Sequence, residues 1–129
     1  MADYHYARTV RLAMDEAESR VRDELLEEGF GILSEIDVQA TLKKKLDVDV
    51  PAYRILGACN PAAAHEAIQA EPLIGTMLPC NVILRDVGDG RTQVAAVDPV
   101  ASMSAVENDR LRPIAERIRD RLRSAVDRV

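Results

Sequence analysis

The stretch Cys80–Val97, with the sequence CNVILRDVGDGRTQVAAV, decides the fold. Two runs of β-forming residues, Cys80–Asp86 and Thr92–Val97, lie on either side of the turn segment GDG at 88–90. Glycine and aspartate tolerate the positive φ angles of a tight hairpin turn, so this pattern predicts two adjacent antiparallel strands. Asp98-Pro99 then ends the second strand, because proline cannot donate to a β-ladder.

Three further strands are predicted upstream of the hairpin, at Tyr4–Val10, Gly31–Ile36 and Tyr53–Cys59. Each is short and contains β-branched, aromatic or other apolar residues that favour extended backbone. In the third of them Tyr53, Ile55, Gly57 and Cys59 share one face, and Arg54, Leu56 and Ala58 share the other. Both faces are largely apolar, which favours a central position in the sheet.

Helical periodicity predicts four helices between and after these strands. They are expected at Met14–Glu28, at Val38–Leu46, from Asn60-Pro61 to a stop before Pro72, and at Asn108–Val129. The last helix is long and amphipathic, and Pro113 is tolerable if it falls in the first turn.

Local signals mark where several of these helices begin and end. Asp37 and Asn60 are typical N-cap residues, and Pro61 follows Asn60 at the first helical position. Gly29 is placed to adopt the left-handed conformation after the first helix, and Phe30 would then pack back on the helix in a Schellman motif.

The order of elements is strand, helix, strand, helix, strand, helix, hairpin, helix. Strict alternation would suggest a parallel α/β sheet, but the hairpin and the short early helices favour an α+β domain. We therefore expect one domain over residues 1–129. It should have a mixed, mostly antiparallel sheet of about five strands packed against helices, with a long C-terminal helix.

The first helix is acidic and the last contains seven arginines. The charges of the two helices are therefore complementary, within a chain or across a dimer.

Composition excludes several functional classes. The chain has 129 residues, a net charge of −5 and only 3% aromatic residues, which argues against a nucleic-acid binder. No apolar run approaches the roughly 20 residues that span a bilayer. The first six residues, MADYHY, lack the basic and apolar regions of a signal peptide, and two cysteines do not make a disulfide framework. We expect a soluble cytoplasmic protein that binds neither nucleic acid nor membrane.

Four segments resemble the domain of unknown function 302 family in order and spacing. They are GFGILSEIDV at 29–38, YRILGACNP at 53–61, the stretch from EPLIG at 71–75 to LPCNV at 78–82, and Val94 to Pro99. The ACNP and LPCNV segments are specific when taken together. The resemblance implies an α+β domain that tends to form homodimers. It implies no reaction, so no catalytic residue is carried over from it.

Both cysteines lie in these segments and are the candidate functional residues. Cys59 ends a strand just before a helix N-terminus, where the helix dipole can lower the pKa of a thiol, and Cys80 begins another strand. If the two strands are neighbours, the thiols could face one pocket. The candidate ligand-binding residues are Cys59, Asn60, Cys80, Asn81 and Asp37. Buried packing, a reactive thiol and a metal ligand remain alternatives for the cysteines.

Other chemistry has little support in the sequence. His65 and the two cysteines would supply only three zinc ligands, and no CxxC or HxxxH spacing is present. There is no GxSxG elbow or phosphate loop. We therefore expect no metal and no cofactor.

Three hypotheses follow. The first is a homodimeric small-ligand-binding or accessory module with an apolar pocket near Cys59 and Cys80. The second is a thiol-dependent enzyme or redox sensor that uses Cys59, assisted by Cys80. The third is a purely structural dimer. The apolar segment Leu73–Leu78 could cover a pocket or lie across a dimer interface.

Overall fold

The computed structural model describes residues 3–129. Its five strands are β1 (His5–Val10), β2 (Gly31–Asp37), β3 (Tyr53–Cys59), β4 (Cys80–Gly88) and β5 (Arg91–Val97). Its five α-helices are α1 (Met14–Glu27), α2 (Val38–Leu46), α3 (Pro61–Ala70), α4 (Pro99–Ser102) and α5 (Leu111–Asp127). A 3₁₀ helix at Pro72–Met77 takes up most of the apolar segment between α3 and β4. The prediction that the first six residues are not a signal peptide includes residues 1 and 2, which lie outside the described residues.

The strands form one five-stranded sheet in the order β1-β5-β4-β3-β2. All four pairings are antiparallel, so the parallel component that a mixed sheet would need is not found among residues 3–129. The α+β prediction is confirmed, and β3 lies between β2 and β4, as its two apolar faces predicted.

The predicted hairpin of β4 and β5 forms as expected. Gly88, Asp89 and Gly90 have φ angles of 88°, 56° and 70°, the region that this turn requires. A register shift between Asp86 and Gly88 lengthens β4 beyond its predicted end, and β5 begins one residue earlier than predicted, at Arg91.

The helix signals in the sequence also act as expected. The Phe30 amide donates to the Leu25 carbonyl at 2.9 Å and the Gly29 amide to the Leu26 carbonyl at 3.0 Å, which is the hydrogen-bond pattern of a Schellman motif. Gly29 has a φ angle of 86°. Asp37 caps α2 by accepting a hydrogen bond from the Ala40 amide at 2.9 Å.

The C-terminal helix differs from its prediction at its N-terminus. The chain after β5 forms the short helix α4, which was not predicted; the Asp98 carboxylate caps it by accepting a hydrogen bond from the Val100 amide at 2.9 Å. Asn108 Nδ2 donates to the Ala70 carbonyl at 2.8 Å, and Asn108 Oδ1 accepts from the Arg110 amide at 3.0 Å in the turn before the helix. Helix α5 begins after Arg110, three residues later than predicted. Pro113 then falls in its first turn, where an amide has no helical acceptor to lose.

Helices α1 and α5 cover one face of the sheet and form the main core. Their buried side chains pack on the helix-facing residues of β3, β4 and β5, which include Leu56, Val82, Leu84, Val94 and Ala96. The predicted charge complementarity of these helices is satisfied within the chain: Arg128 pairs with Glu24 at 2.5 Å and with Glu28 at 2.9 Å. Such partly exposed pairs contribute only about 0–1 kcal/mol each, so burial of the apolar side chains holds the layers together.

Among residues 3–129, none of the helices combines the length and the apolar character that crossing a membrane requires.

Candidate functional site

A small apolar cavity lies where β3 ends and β4 begins. Its volume is about 30 Å³. Its walls come from β3, β4, α3, α4, α5 and the segments that join them. The lining residues are Phe30, Ala58, Cys59, Asn60, Ala63, Ala64, Ala67, Leu78, Pro79, Cys80, Pro99, Met103, Ile114, Ala115 and Ile118.

Both cysteines line this cavity. Cys80 lies opposite Ala58 in the β3–β4 register, so Cys59 is the next residue along β3. Cys80 is 7% exposed and Cys59 is half-buried. Both candidate cysteines therefore line the same cavity, from neighbouring positions on β3 and β4.

Asn60 connects the cavity to helix α3. Its side-chain oxygen accepts a hydrogen bond from the Ala63 amide at 3.1 Å, so it is the predicted N-cap. Cys59 consequently lies immediately before the first turn of α3, at the positive end of the helix dipole. Ala63 and Ala64, from the same turn, form part of the cavity wall.

Asn81 and Asp37 lie away from the cavity. Asn81 is exposed, pairs with Gly57 and lines a groove on the sheet face opposite α1 and α5. Asp37 pairs with Arg54, five residues from Cys59, which places it about 17 Å along the strand. The α2 cap accounts for the Asp37 side chain.

Burial controls the acidity of Cys80. Desolvation of its thiolate, with a smaller contribution from the nearby Cys59, raises the pKa of Cys80 to about 11. The Cys80 thiol is therefore protonated at neutral pH, where only a thiolate is a good nucleophile. Any thiol chemistry at neutral pH would have to begin at Cys59.

This pKa predicts a loss of stability at alkaline pH. The folded pKa of Cys80 lies above the unfolded value of about 8.5, so the stabilisation is fully present below that value. It is lost as the pH rises through about 11, because the unfolded chain then releases a proton that the folded chain retains. We expect the free energy of unfolding to fall by roughly 1–3 kcal/mol across this window, measured by urea titration. The fall should be smaller in Cys80→Ala, and an equal fall in both proteins would refute this origin.

Gly57 supports the cavity from the other side of β3. A Cβ atom at Gly57 would overlap Ser34 Oγ and lie 2.7 Å from Pro79 Cγ. Ser34 reaches this position because a bulge in β2 shifts its register between Ile32 and Ser34. Pro79 follows a cis peptide bond from Leu78 and lines the cavity. The glycine of the YRILGACNP segment is therefore needed for close packing.

Several lining residues were not recognised as site residues from the sequence. Ile114, Ala115 and Ile118 belong to the apolar stripe of α5, whose helical periodicity was visible but did not show which cavity it faces. Met103 follows the short helix α4, in a stretch with no periodicity that could have identified it. Leu78 belongs to the apolar segment that was expected to cover a pocket, and it lines this one together with Pro79.

His65 is exposed on α3 and does not line the cavity, so it cannot join the cysteines as a third ligand. Within residues 3–129, no group of three or more His, Cys, Asp or Glu side chains is arranged to hold a metal ion.

Comparison with known proteins places the chain in a family. The sequence profile of the domain of unknown function DUF302 matches residues 6–129. The chain is also similar to the crystal structure of an uncharacterized conserved protein DUF302 from Bacillus stearothermophilus. The TM-score is 0.91, the sequence identity is 30%, and the alignment covers 98% of each chain. The curated proteins include no match to the sequence. The resemblance seen in the ACNP and LPCNV segments is thus confirmed, and the chain belongs to the DUF302 family.

Proposed function

We propose that this protein is a homodimeric ligand-binding module whose ligand occupies the cavity beside Cys59 and Cys80. The observation that carries the proposal is that cysteines from the ends of two neighbouring strands line one apolar cavity. Binding sites are commonly apolar concavities with a few polar groups that fix the ligand. The two thiols and Asn60 are the polar groups here.

The size of the cavity restricts the ligand. Its volume of about 30 Å³ is far below the roughly 300–1,000 Å³ of sites for drug-sized molecules. The ligand is therefore a very small group or ion. Cys59, Leu78 and Met103 are among the half-buried residues of the wall.

Filling the cavity tests this function. Ala64→Leu places a larger side chain in the wall, whereas Ala62→Leu changes an exposed residue of the same helix that does not line the cavity. We expect a ligand from a panel of xenon, small thiols and soft metal ions to raise the unfolding midpoint of the wild type and of Ala62→Leu. The rise should be absent in Ala64→Leu. If no class in the panel stabilises the wild type, the proposed function is wrong.

The homodimer is supported by the face of the sheet opposite α1 and α5. The strand register aligns an apolar row across all five strands on this face: Ile36, Ile55, Ile83, Ala95 and Ala7. Ile36 is 47% exposed and the other four are half-buried. A groove of about 510 Å³ lies over the β4 and β5 part of this face. A second copy can bury such a row against its own by two-fold symmetry.

A charge in this row should dissociate the dimer. We expect sedimentation to give a dimer for the wild type and a monomer for Ile83→Glu, because an unpaired carboxylate buried at a dimer interface is strongly unfavourable. Leu73→Glu is the matched control, since Leu73 is 77% exposed on the 3₁₀ helix and lies outside the sheet. A wild type that remains monomeric at all concentrations would disprove the dimer.

A redox sensor is the alternative that the same pair of thiols supports. Oxidised glutathione would take two electrons from Cys59 and Cys80, leaving a Cys59–Cys80 disulfide and two molecules of reduced glutathione. The half-buried Cys59 would attack first, because Cys80 is buried and protonated. Peptide mass analysis after incubation with oxidised glutathione tests this alternative, and the absence of the disulfide would exclude it.

A further inference from the structure

We infer that two copies of this chain stack face to face across a two-fold axis parallel to β4. The isoleucine half of each apolar row, Ile36 and Ile55, then packs on the alanine half of the other copy, Ala95 and Ala7. The inference rests on the proposed homodimer and specifies how the second copy lies on the sheet.

The apolar row has large side chains at one end and small ones at the other. From β2 to β1 its members are Ile36, Ile55, Ile83, Ala95 and Ala7. Two isoleucines therefore lie on one side of Ile83, on the central strand β4, and two alanines lie on the other. The groove of about 510 Å³ is lined by both alanines and by Ile83, and neither Ile36 nor Ile55 lines it. The hollow part of the sheet face is thus the alanine half.

A two-fold axis along β4 makes this difference in size self-complementary. Such an axis exchanges the two sides of the sheet, so β3 of one copy lies over β5 of its partner, and β2 lies over β1. Ile55 then enters the groove above the partner's Ala95, and Ile83 meets its own copy on the axis. Side chains of stacked sheets interdigitate in this way across a spacing of about 10 Å.

The other symmetric stacking fits the row less well. A two-fold axis along the row itself places Ile55 on the partner's Ile55 and Ala95 on the partner's Ala95. The isoleucines then hold the two sheets apart at one end, while the alanine grooves face each other at the other end. Dimer interfaces pack as densely as protein interiors, so the resulting void is unfavourable.

The charge of Arg85 is compatible with the inferred axis. Arg85 lies on β4, in register with Tyr53 on β3 and with Gln93 on β5. Its Nε donates to Gln93 Oε1 at 2.6 Å, which turns the guanidinium away from the axis and towards β5. Since β5 lies over β3 of the partner, each guanidinium lies above the partner's Tyr53 and not above the partner's Arg85. A guanidinium over an aromatic ring makes a favourable cation–π contact.

A double-mutant cycle on the dimer dissociation constant, measured by sedimentation equilibrium, tests the inference. We expect Ile55→Ala to weaken the dimer about tenfold or more by leaving a void, and Ala95→Ile to weaken it similarly by overpacking. The double variant exchanges the two sizes and should regain most of the wild-type affinity. Ile68→Ala, at an exposed position on α3, is the control that should leave the affinity unchanged.

Recovery in the double variant would report a contact between copies. Within one chain Ile55 and Ala95 lie on β3 and β5, with β4 between them. They are therefore two strand spacings apart, about 9–10 Å, a separation at which substitutions are usually additive.

Disulfide trapping tests the same geometry without relying on packing energies. In a Cys59→Ala background, Ile55→Cys is mixed with a tagged Ala95→Cys chain, and oxidised glutathione is added as the oxidant. The mixed disulfide should form, because the two engineered positions face each other closely enough for a disulfide. Ile55→Cys alone should form no disulfide between its two copies.

The outcomes separate this inference from the homodimer on which it rests. Additive effects of Ile55→Ala and Ala95→Ile would overturn the inferred axis while the dimer persists. Absence of the mixed disulfide, or a disulfide between two Ile55→Cys chains, would overturn it equally. A wild type that remains monomeric at all concentrations would overturn both the axis and the homodimer.

Discussion

Gly57→Ala should destabilise the protein by about 1–3 kcal/mol or more, one of the two largest effects expected of a single substitution. The added methyl group would overlap Ser34 Oγ and lie 2.7 Å from Pro79 Cγ. Neither neighbour is the far end of a long flexible side chain, so the backbone of β2 or of the segment before β4 would have to move. Equilibrium urea unfolding measures the loss as a fall in the transition midpoint.

Two glycines provide matched controls for this substitution. A Cβ atom at Gly31 or at Gly75 would meet no heavy atom within 4 Å, so Gly31→Ala and Gly75→Ala should change the stability little. Ser34→Ala removes the overlapping oxygen and should restore part of the stability of Gly57→Ala in a double-mutant cycle, while the Pro79 contact remains. A Gly57→Ala protein as stable as the two controls would show that β3 is not closely packed here.

Phe30→Ala should reduce the free energy of unfolding by about 3–5 kcal/mol, as expected for a fully buried aromatic side chain. Phe30 is 2% exposed, belongs to the main core and lines the cavity beside the cysteines. Its removal costs the burial of the ring and leaves a void that rigid neighbours can fill only in part. That loss is a large share of the roughly 5–15 kcal/mol that stabilises a typical domain.

The same substitution should change what the cavity binds. Phe30→Ala enlarges the cavity towards the scale of about 150 Å³ at which engineered apolar cavities bind benzene. We expect benzene to raise the unfolding midpoint of Phe30→Ala and not that of the wild type, with Phe30→Leu intermediate in stability. Equal benzene stabilisation of wild type and variant would contradict a wild-type cavity of about 30 Å³.

Local signals explain why much of the fold could be predicted. The Schellman motif at Gly29 and Phe30 and the caps at Asp37 and Asn60 each depend on residues within one or two helical turns. The GDG turn likewise determines its own hairpin. Interactions of this kind are encoded in adjacent residues, so the sequence is sufficient to identify them.

Distant contacts explain what could not be predicted. Asn108 is a plausible helix cap by residue type, but its side chain joins the Ala70 carbonyl, 38 residues away, to the Arg110 amide of a turn, and α5 begins after that turn. The choice between a mixed and a wholly antiparallel sheet depended on which strand pairs with β1, and that strand is β5, near the other end of the chain.

The candidate site also contains some residues that local motifs identify and others that only distant contacts bring to the cavity. Cys59 and Cys80 could be identified because each belongs to a short motif, and the pairing of β3 with β4 places both residues beside one cavity. Asn81 follows Cys80 directly but lies on the opposite face, because successive side chains in a strand alternate. Met103 joins the cavity only through the packing of α4 and α5 around it, which no local pattern reveals.

The central claim is that a ligand occupies the cavity beside the two cysteines, and protection of Cys59 from alkylation tests it most directly. The half-buried Cys59 should react in the native protein, whereas Cys80, with a pKa of about 11 and 7% exposure, should react only on unfolding. With a stabilising ligand present, the account predicts that alkylation of Cys59, followed by peptide mass, slows markedly. An unchanged rate at ligand concentrations that raise the unfolding midpoint would place the ligand elsewhere and contradict the account.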